Sequence, residues 1–218
     1  VAKRKLQRFT EIGTFENVLQ LEAGKPLKGR WKQDFFKNDN PLILELACGK
    51  GEYSVNLGRK YPNKNFLGID YKGNRIWVGA KMAIDEGLKN VGFLRIQIQN
   101  ILDYFDVGEV DEIWITFPDP QAQSPLERKR LTNPLFLSKY KTVLKETGTM
   151  YLKTDNDGFY DYTLEKIAEG KHLIEDQTTD VYKTHAMDEV LNIKTHYERI
   201  YLQKGKNINY VKFKFFNG

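Results

Sequence analysis

Four features of the chain carry residue types and spacings that suit chemistry. Glu45-Leu46-Ala47-Cys48-Gly49-Lys50-Gly51 joins a carboxylate to a Gly-x-Gly turn. Glycines there let the backbone turn tightly and approach a ligand closely. Asp70 follows twenty-five residues after Glu45, and closes the run Gly68-Ile69-Asp70. A carboxylate at such a point can accept both hydroxyls of a ribose. Asp119 stands between Pro118 and Pro120, and Asp155 heads Asp155-Asn156-Asp157-Gly158. Taken alone, Asp119 reads equally as a turn carboxylate, and Asp155 as a helix cap.

The elements around these residues alternate. Apolar runs predict strands over 41–48, 65–70, 93–96, 111–117 and 149–154. Helical spacing predicts helices over 52–61 and 74–88, one from an Asn133 cap and Pro134 to a stop at Gly148, and one over 159–168. Residues 195–203 and 210–216 both read as strands, and 204–209 as the turn of a hairpin. Strand–helix alternation implies a mainly parallel Rossmann-like α/β sheet, here with a C-terminal antiparallel hairpin strand. In such sheets ligands bind beyond the carboxyl ends of the strands. Glu45, Gly49, Gly51, Asp70 and Asp119 all fall there.

The loop argues for one ligand class over another. A dinucleotide enzyme wants a third glycine to cradle pyrophosphate, and this chain has Ser54 at that position. Glu45 would not help a pyrophosphate. It suits a ligand bearing an ammonium group, such as the methionine end of S-adenosylmethionine. A nicotinamide-dependent enzyme is the weaker reading.

Charge adds a partner class. The net charge is +5, and residues 1–37 hold nine Lys or Arg against four Asp or Glu, so the whole excess lies there. Lys3, Arg4, Lys5, Arg8, Lys25, Lys28, Arg30, Lys32 and Lys37 form this basic arm, and Arg128-Lys129-Arg130 a second patch. Both suit a polyanion, and both equally suit solvated surface. We expect a basic extension over 1–40 and a catalytic domain over 41–218. A single cysteine, Cys48, fits a reducing compartment. The basic N-terminus has no apolar region after it, and no run of about 20 apolar residues spans a bilayer. A cytoplasmic protein without membrane contact is expected, as monomer or homodimer. His172, His185, His196 and Cys48 lack metal-ligand spacing, so no metal is expected.

Residues 41–155 carry a more specific pattern. Glu45-x-x-Cys48-Gly49-Lys50-Gly51-Glu52, Gly68-Ile69-Asp70, Gly108-Glu109-Val110-Asp111 and Phe117-Pro118-Asp119-Pro120 resemble the tRNA (guanine-N7)-methyltransferase family. So do Arg128-Lys129-Arg130-Leu131-x-x-Pro134, Thr154-Asp155-Asn156 and Thr195-His196-Tyr197-Glu198. The resemblance implies methyl transfer from S-adenosylmethionine to N7 of a guanine in the variable loop of tRNA. It implies cofactor contacts at Glu45, Gly49, Gly51, Asp70 and Asp119, with Asp119 also catalytic. At the end of the third strand the family often has an acidic residue. This chain has Gln97-Ile98-Gln99-Asn100, so Gln97 or Asn100 takes that place. Substrate contacts are implied at Gln123, Asp155, Thr195 and Glu198. Two departures stand out. Ala47 replaces a glycine, and the neutral Pro120-Gln121-Ala122-Gln123-Ser124-Pro125-Leu126 replaces a basic, aromatic segment. Gln123 thus sits where a lysine is expected. A methyltransferase for another substrate, or a non-catalytic RNA-binding relative, are the alternatives that this neutral loop leaves open.

Overall fold

The structure is a computed structural model that describes residues 2–216, with side chains from Lys5 onward. The Lys3 and Arg4 charges of the basic arm therefore lie outside the described residues. In chain order the elements are α1 (Ala2–Glu11), β1 (Val18–Gln20), β2 (Leu42–Leu46), α2 (Glu52–Lys60), β3 (Asn65–Asp70), α3 (Gly73–Asp85), β4 (Val91–Arg95) and β5 (Val110–Thr116). There follow α4 (Pro134–Val143), β6 (Leu144–Thr154), α5 (Asp157–Glu169), β7 (Leu173–Thr178), α6 (Val181–Thr184), α7 (His196–Gln203) and β8 (Asn209–Lys214). The strands form one eight-stranded sheet in the order β1-β4-β3-β2-β5-β6-β8-β7. All pairings are parallel except β6 with β8 and β8 with β7.

Alternation along β2 shows how the layers form. Leu42, Leu44 and Leu46 enter one core with Leu137 and Tyr140 of α4 and Phe159 of α5. Ile43 enters the other, with Tyr53 and Val55 of α2 and Ile76 and Ala80 of α3. A strand buried on both faces must be apolar on both, which is why 42–46 is apolar but for Glu45. Glu45 shares a face with Ile43 and so points at α2. Cross-strand stacking adds to the second face: Trp114 and Tyr151 pair in register, with ring centroids 4.0 Å apart and planes within 2°.

The N-terminal segment is part of this body. β1 pairs with β4 at one sheet edge. Trp31 is fully buried, stacks on Phe105 and donates to the Tyr104 carbonyl at 2.8 Å. The backbone N–H groups of Gly29 and Trp31 donate to Glu109. Asp111 accepts from the Leu42 N–H, Lys32 and Lys145. The acidic pair Glu109 and Asp111 thus fastens residues 29–42 onto the start of β5. Several cations of the arm are engaged internally: Lys25 with Glu22, Arg30 with Asp34, and Lys28 with the Leu102 carbonyl.

Three expectations are corrected. Residues 195–203 are a helix, α7, and not a hairpin strand. Thr195 and Glu198 form a reciprocal capping box that starts it. The partner of β8 on its outer side is β7, whose exposed, polar sequence gives no strand pattern. The helix after Asn133 ends at Val143. Gly148 lies inside β6, where a Cβ would come within 2.5 Å of Leu144 and 3.0 Å of the Asp111 carbonyl. It is a close-approach glycine beside a register shift in the β5–β6 pairing.

Candidate active site

The chain runs from β2 outward through β3 and β4, then returns to the other side of β2 to lay down β5 and β6. This reversal leaves a crevice beyond the carboxyl ends of β2 and β5, where open α/β sheets take ligands. Asp70 is the last residue of β3, and the loops after β2, β4, β5 and β6 carry Gly49, Gln97, Asp119 and Asp155 respectively.

On the β2–β3 side the polar groups are held from within. Asp70 accepts from the Gly49 N–H at 2.9 Å through one oxygen and from the Lys72 N–H at 2.8 Å through the other. Each oxygen keeps a free lone pair for a ligand hydroxyl. Gly49 has φ +56° and nothing closer than 3.9 Å to an added Cβ, so the turn needs its conformation and leaves open space beside it. Gly51 has a different reason. A Cβ there would lie 2.4 Å from the Phe93 ring and 3.4 Å from Gly79, so it seats α2 and α3 on the sheet. Ala47 adopts φ +57°, a left-handed conformation that costs a non-glycine residue about 1–2 kcal/mol.

Glu45 is 3% exposed. One oxygen accepts from the Ser54 N–H (2.9 Å) and Oγ (2.5 Å), and the other from Thr116 Oγ1 (2.6 Å). The carboxylate ties β2 to α2 and β5 beneath the crevice. Burial pushes its pKa up to about 7, against the opposing pull of the Ser54 and Thr116 hydrogen bonds. Ser54, which breaks the dinucleotide glycine pattern, is therefore the partner that Glu45 needs.

After β4, the Gln97 carboxamide oxygen accepts from Gln99 Nε2 at 2.8 Å. Gln97 follows closely on Arg95, which pairs in register with Asp70. Asn100 lies further on, in a cleft of about 350 Å³ with Arg128, Phe136 and Lys139. Lys139 bonds the Gln99 carbonyl.

On the β5–β6 side the geometry is more strained and more open. Phe117 (φ +50°) and Gln121 (φ +46°) bracket Asp119 with two left-handed non-glycine residues. Strain of this kind concentrates at functional sites. The Phe117 N–H donates to the Lys153 carbonyl at 2.9 Å, which continues the ladder past the end of β5. Asp119 is exposed and accepts from the Gln121 N–H at 3.1 Å. Arg130 donates to the Gln121 carbonyl and lies over Tyr162, so it pins this loop. Gln123 is exposed at the start of the 3₁₀ turn Ser124–Lys129. Asp155 pairs with Lys206 at 2.8 Å. Tyr201 lies near both carboxylates: its hydroxyl pKa is raised first by burial, then by Asp155, with a smaller push from Asp119. Its ring stacks against Phe117 at 6.2 Å.

Thr195 and Glu198, expected at the substrate, are buried, and their polar atoms are engaged. Besides capping α7, Glu198 accepts from Lys153 (2.8 Å) and the Tyr182 hydroxyl (2.6 Å). Lys153 and Glu198 are both fully buried. Lys153 also bonds the Leu191 carbonyl and faces the Tyr53 and Phe117 rings. Burial holds its pKa below the ordinary value, with Glu198 opposing. The pair clamps α7 to β6. The start of α7 meets the β2–β3 side as well: the His196 N–H donates to Glu52 of α2, and Arg75 of α3 lies over Tyr197. Sequence reasoning missed Lys153, Tyr182, Tyr201 and Lys206. Only the Thr-x-x-Glu spacing signalled the helix that gathers them.

Among the described residues, no group of three or more His, Cys, Asp or Glu could hold a metal ion. No described helix is long and apolar enough to cross a membrane.

Known proteins with this sequence and shape agree. Residues 39–211 match the profile of a family described as putative methyltransferase. A tRNA (guanine-N(7)-)-methyltransferase of Christiangramia forsetii is 50% identical over 98% of both chains. One from Bacteroides thetaiotaomicron is 42% identical over 98% of this chain and 86% of its own. Among solved structures, an antibiotic-related methyltransferase superposes with a TM-score of 0.65 at 15% identity, covering 84% of this chain and 92% of its own. The 16S rRNA methyltransferase KamB gives 0.61 at 14%, covering 81% and 88%. These two likenesses establish the shared fold. Sequence identity goes further, and the chain belongs to the tRNA (guanine-N(7)-)-methyltransferase family.

Proposed function

We propose that this protein transfers a methyl group from S-adenosylmethionine to N7 of a guanine in tRNA, at the variable-loop position implied by the family. The reading is supported by the placement of Asp70, Gln97, Asp119 and Asp155 at or just beyond the carboxyl ends of β3, β4, β5 and β6, in a chain 50% identical to a named relative. The residues fit the methyl donor. Asp70, fixed by two backbone N–H groups, is suited to the ribose hydroxyls. Gly49 leaves the methionine end room, Gly51 lets α2 seat close beside it, and Glu45, once deprotonated above about pH 7, supplies negative charge beneath its ammonium. Gln97 serves the adenine, with Asn100 the second candidate. When bound, S-adenosylmethionine supplies an electrophilic methyl on a sulfonium.

Guanine N7 already has an in-plane lone pair, so no proton must leave before it attacks. The protein's task is alignment, and proximity supplies much of the rate. Asp119 and Asp155 accept the two adjacent donors of guanine's Watson–Crick edge. Their charge also favours the cationic purine that methylation creates. Asp119 borders both donor and base, which suits the catalytic role. Glu198 and Thr195 shape the pocket from behind, by holding α7 and its Tyr201 in place. Gln123 and the Arg128–Arg130 patch face the RNA backbone, as does the 1–40 extension ahead of the 41–218 catalytic unit. The reaction belongs in the cytoplasm, with tRNA as partner.

The test is a set of tRNA transcripts altered at one base. Inosine lacks the exocyclic amine and keeps N7, so it should react, but at least ten-fold more slowly than guanine. 7-Deazaguanine should bind and give no product. Equal rates for guanine and inosine would remove the carboxylates from base recognition. Methylation of the deaza substrate would mean that another atom is attacked.

A further inference from the structure

The carboxylate assigned to the guanine edge is not bare. Lys206 Nζ lies 2.8 Å from Asp155 Oδ2. The Asp155 side chain is 13% exposed and that of Lys206 46%, so the pair is sealed on the aspartate side and open on the lysine side. It borders a cleft of about 480 Å³, lined in part by Asp157, Tyr160 and Asp161. The ammonium thus occupies an oxygen of Asp155 that a hydrogen-bond donor would otherwise use.

The backbone under Lys206 is fixed. Its N–H donates to the Tyr201 carbonyl at 3.1 Å, and the Gly205 N–H to the Leu202 carbonyl at 2.9 Å. Gly205 takes φ +72°, which ends α7 in a left-handed turn. Only the flexible four-carbon stem must move for the ammonium to leave. Its path is marked by the Tyr201 ring, 5.4 Å away, and by the exposed Lys204 beside it. Lys153, near the end of β6, behaves in the opposite way. Lys153 is fully buried against Glu198 and has no route to solvent.

We propose that Lys206 is a displaceable counter-ion that covers Asp155 in the RNA-free protein, yields it to the guanine edge, and transfers its charge to an RNA phosphate. The proposal rests on the reading of Asp155 as a base contact. Its consequence is selectivity for polymer over monomer. A free nucleoside must break the Lys206–Asp155 pair and offers the ammonium nothing in return. A tRNA offers a guanine for the carboxylate and a phosphate for the lysine. Base recognition and backbone recognition are then linked through one side chain.

Three variants of the full chain test this: Lys206→Gln, Lys206→Arg and Asp155→Asn. Two quantities are read on the lysine variants. One is the inhibition constant of free 7-deazaguanosine against tRNA methylation. In Lys206→Gln it should fall at least five-fold, because the competitor for Asp155 is gone, and in Lys206→Arg it should stay near wild type. The other is the log–log dependence of tRNA KM on salt, whose slope should flatten by about 0.7–0.9 in Lys206→Gln, as one phosphate contact is lost. An unchanged inhibition constant, no inhibition in either protein, or an unchanged slope overturns the exchange. Asp155→Asn checks the underlying reading separately. It should narrow the guanine-over-inosine rate ratio several-fold. If that ratio is unchanged, Asp155 does not read the base. If it narrows while Lys206→Gln changes neither quantity, Asp155 stands and the counter-ion fails.

Discussion

The two sides of the crevice hold their carboxylates by different means. On the β2–β3 side, Asp70 is fixed by two backbone N–H groups, and Glu45 by a backbone N–H and two short hydroxyls. On the β5–β6 side, Asp155 is held by a long exposed lysine, and Asp119 lies open between two strained residues. A small ligand of fixed shape is served by a site that is complete before it arrives, since ordering costs subtract from affinity. A folded RNA arrives with a backbone as well as a base, and side chains that exchange partners can answer both. Beneath the second side, the buried Lys153–Glu198 pair supplies the rigidity that the surface pair does not.

The largest effect should come from breaking that buried pair. Lys153→Met leaves Glu198 charged and buried, at a cost of about 3–5 kcal/mol in unfolding free energy. Denaturant titration measures it. A loss below 1 kcal/mol would mean that α7 is held by other contacts, and the contrast between the two lysines of this region would collapse. Next comes the donor side. Asp70→Ala should weaken S-adenosylmethionine binding by about 1.5–3 kcal/mol, the worth of hydrogen bonds to a charged group. Calorimetry reads this directly, and unchanged affinity would remove Asp70 from the cofactor site.

A comparable effect should appear in the pH dependence of stability. Burial raises the Glu45 pKa to about 7, from 4.5 in an exposed carboxyl. The folded state therefore keeps a proton that the unfolded chain releases. Glu45 then lowers stability progressively as pH rises from about 4.5 to about 7. In Glu45→Gln this decline should vanish, so the variant gains on wild type by about 1–3 kcal/mol between pH 5 and pH 8. Parallel stability curves for the two proteins would refute the raised value. The smallest effect belongs to Ala47. At φ +57° glycine is unstrained, so Ala47→Gly should raise stability by up to about 1 kcal/mol, seen as a higher Tm. No gain would mean that the flexibility glycine adds to the unfolded chain cancels the relief.

The same division governs what could be read from the chain. The parallel core was legible because its strands are buried on both faces and therefore written as short apolar runs, as in 42–44 and 113–115. Asp70 and Asp119 were legible because strand ends fix where such residues fall. The stretch from 173 to 203 was not. Leu173–Thr178 is exposed on both faces, so nothing in its pattern marks β7. His196–Gln203 is rich in aromatic and β-branched residues and imitates a strand, although Thr195-x-x-Glu198 announces a helix cap. The Lys153–Glu198 and Lys206–Asp155 pairs join residues more than forty positions apart, and no local period records them. The strain at Phe117 and Gln121 is equally silent, since neither residue type favours a left-handed backbone.

The position of β8 has a consequence for synthesis. It is translated after every other strand, yet it lies inside the sheet, between β6 and β7. Until it emerges, β6 presents a bare edge and β7 has no strand to pair with. Tyr160 also lacks the Tyr210 carbonyl to which its hydroxyl donates. The half that carries Asp155 and α7 closes only when residues 209–214 are free to insert. A copy that lacks residues 209–214 is therefore expected to expose the unpaired edge of β6, a surface prone to pair with the edge of another chain.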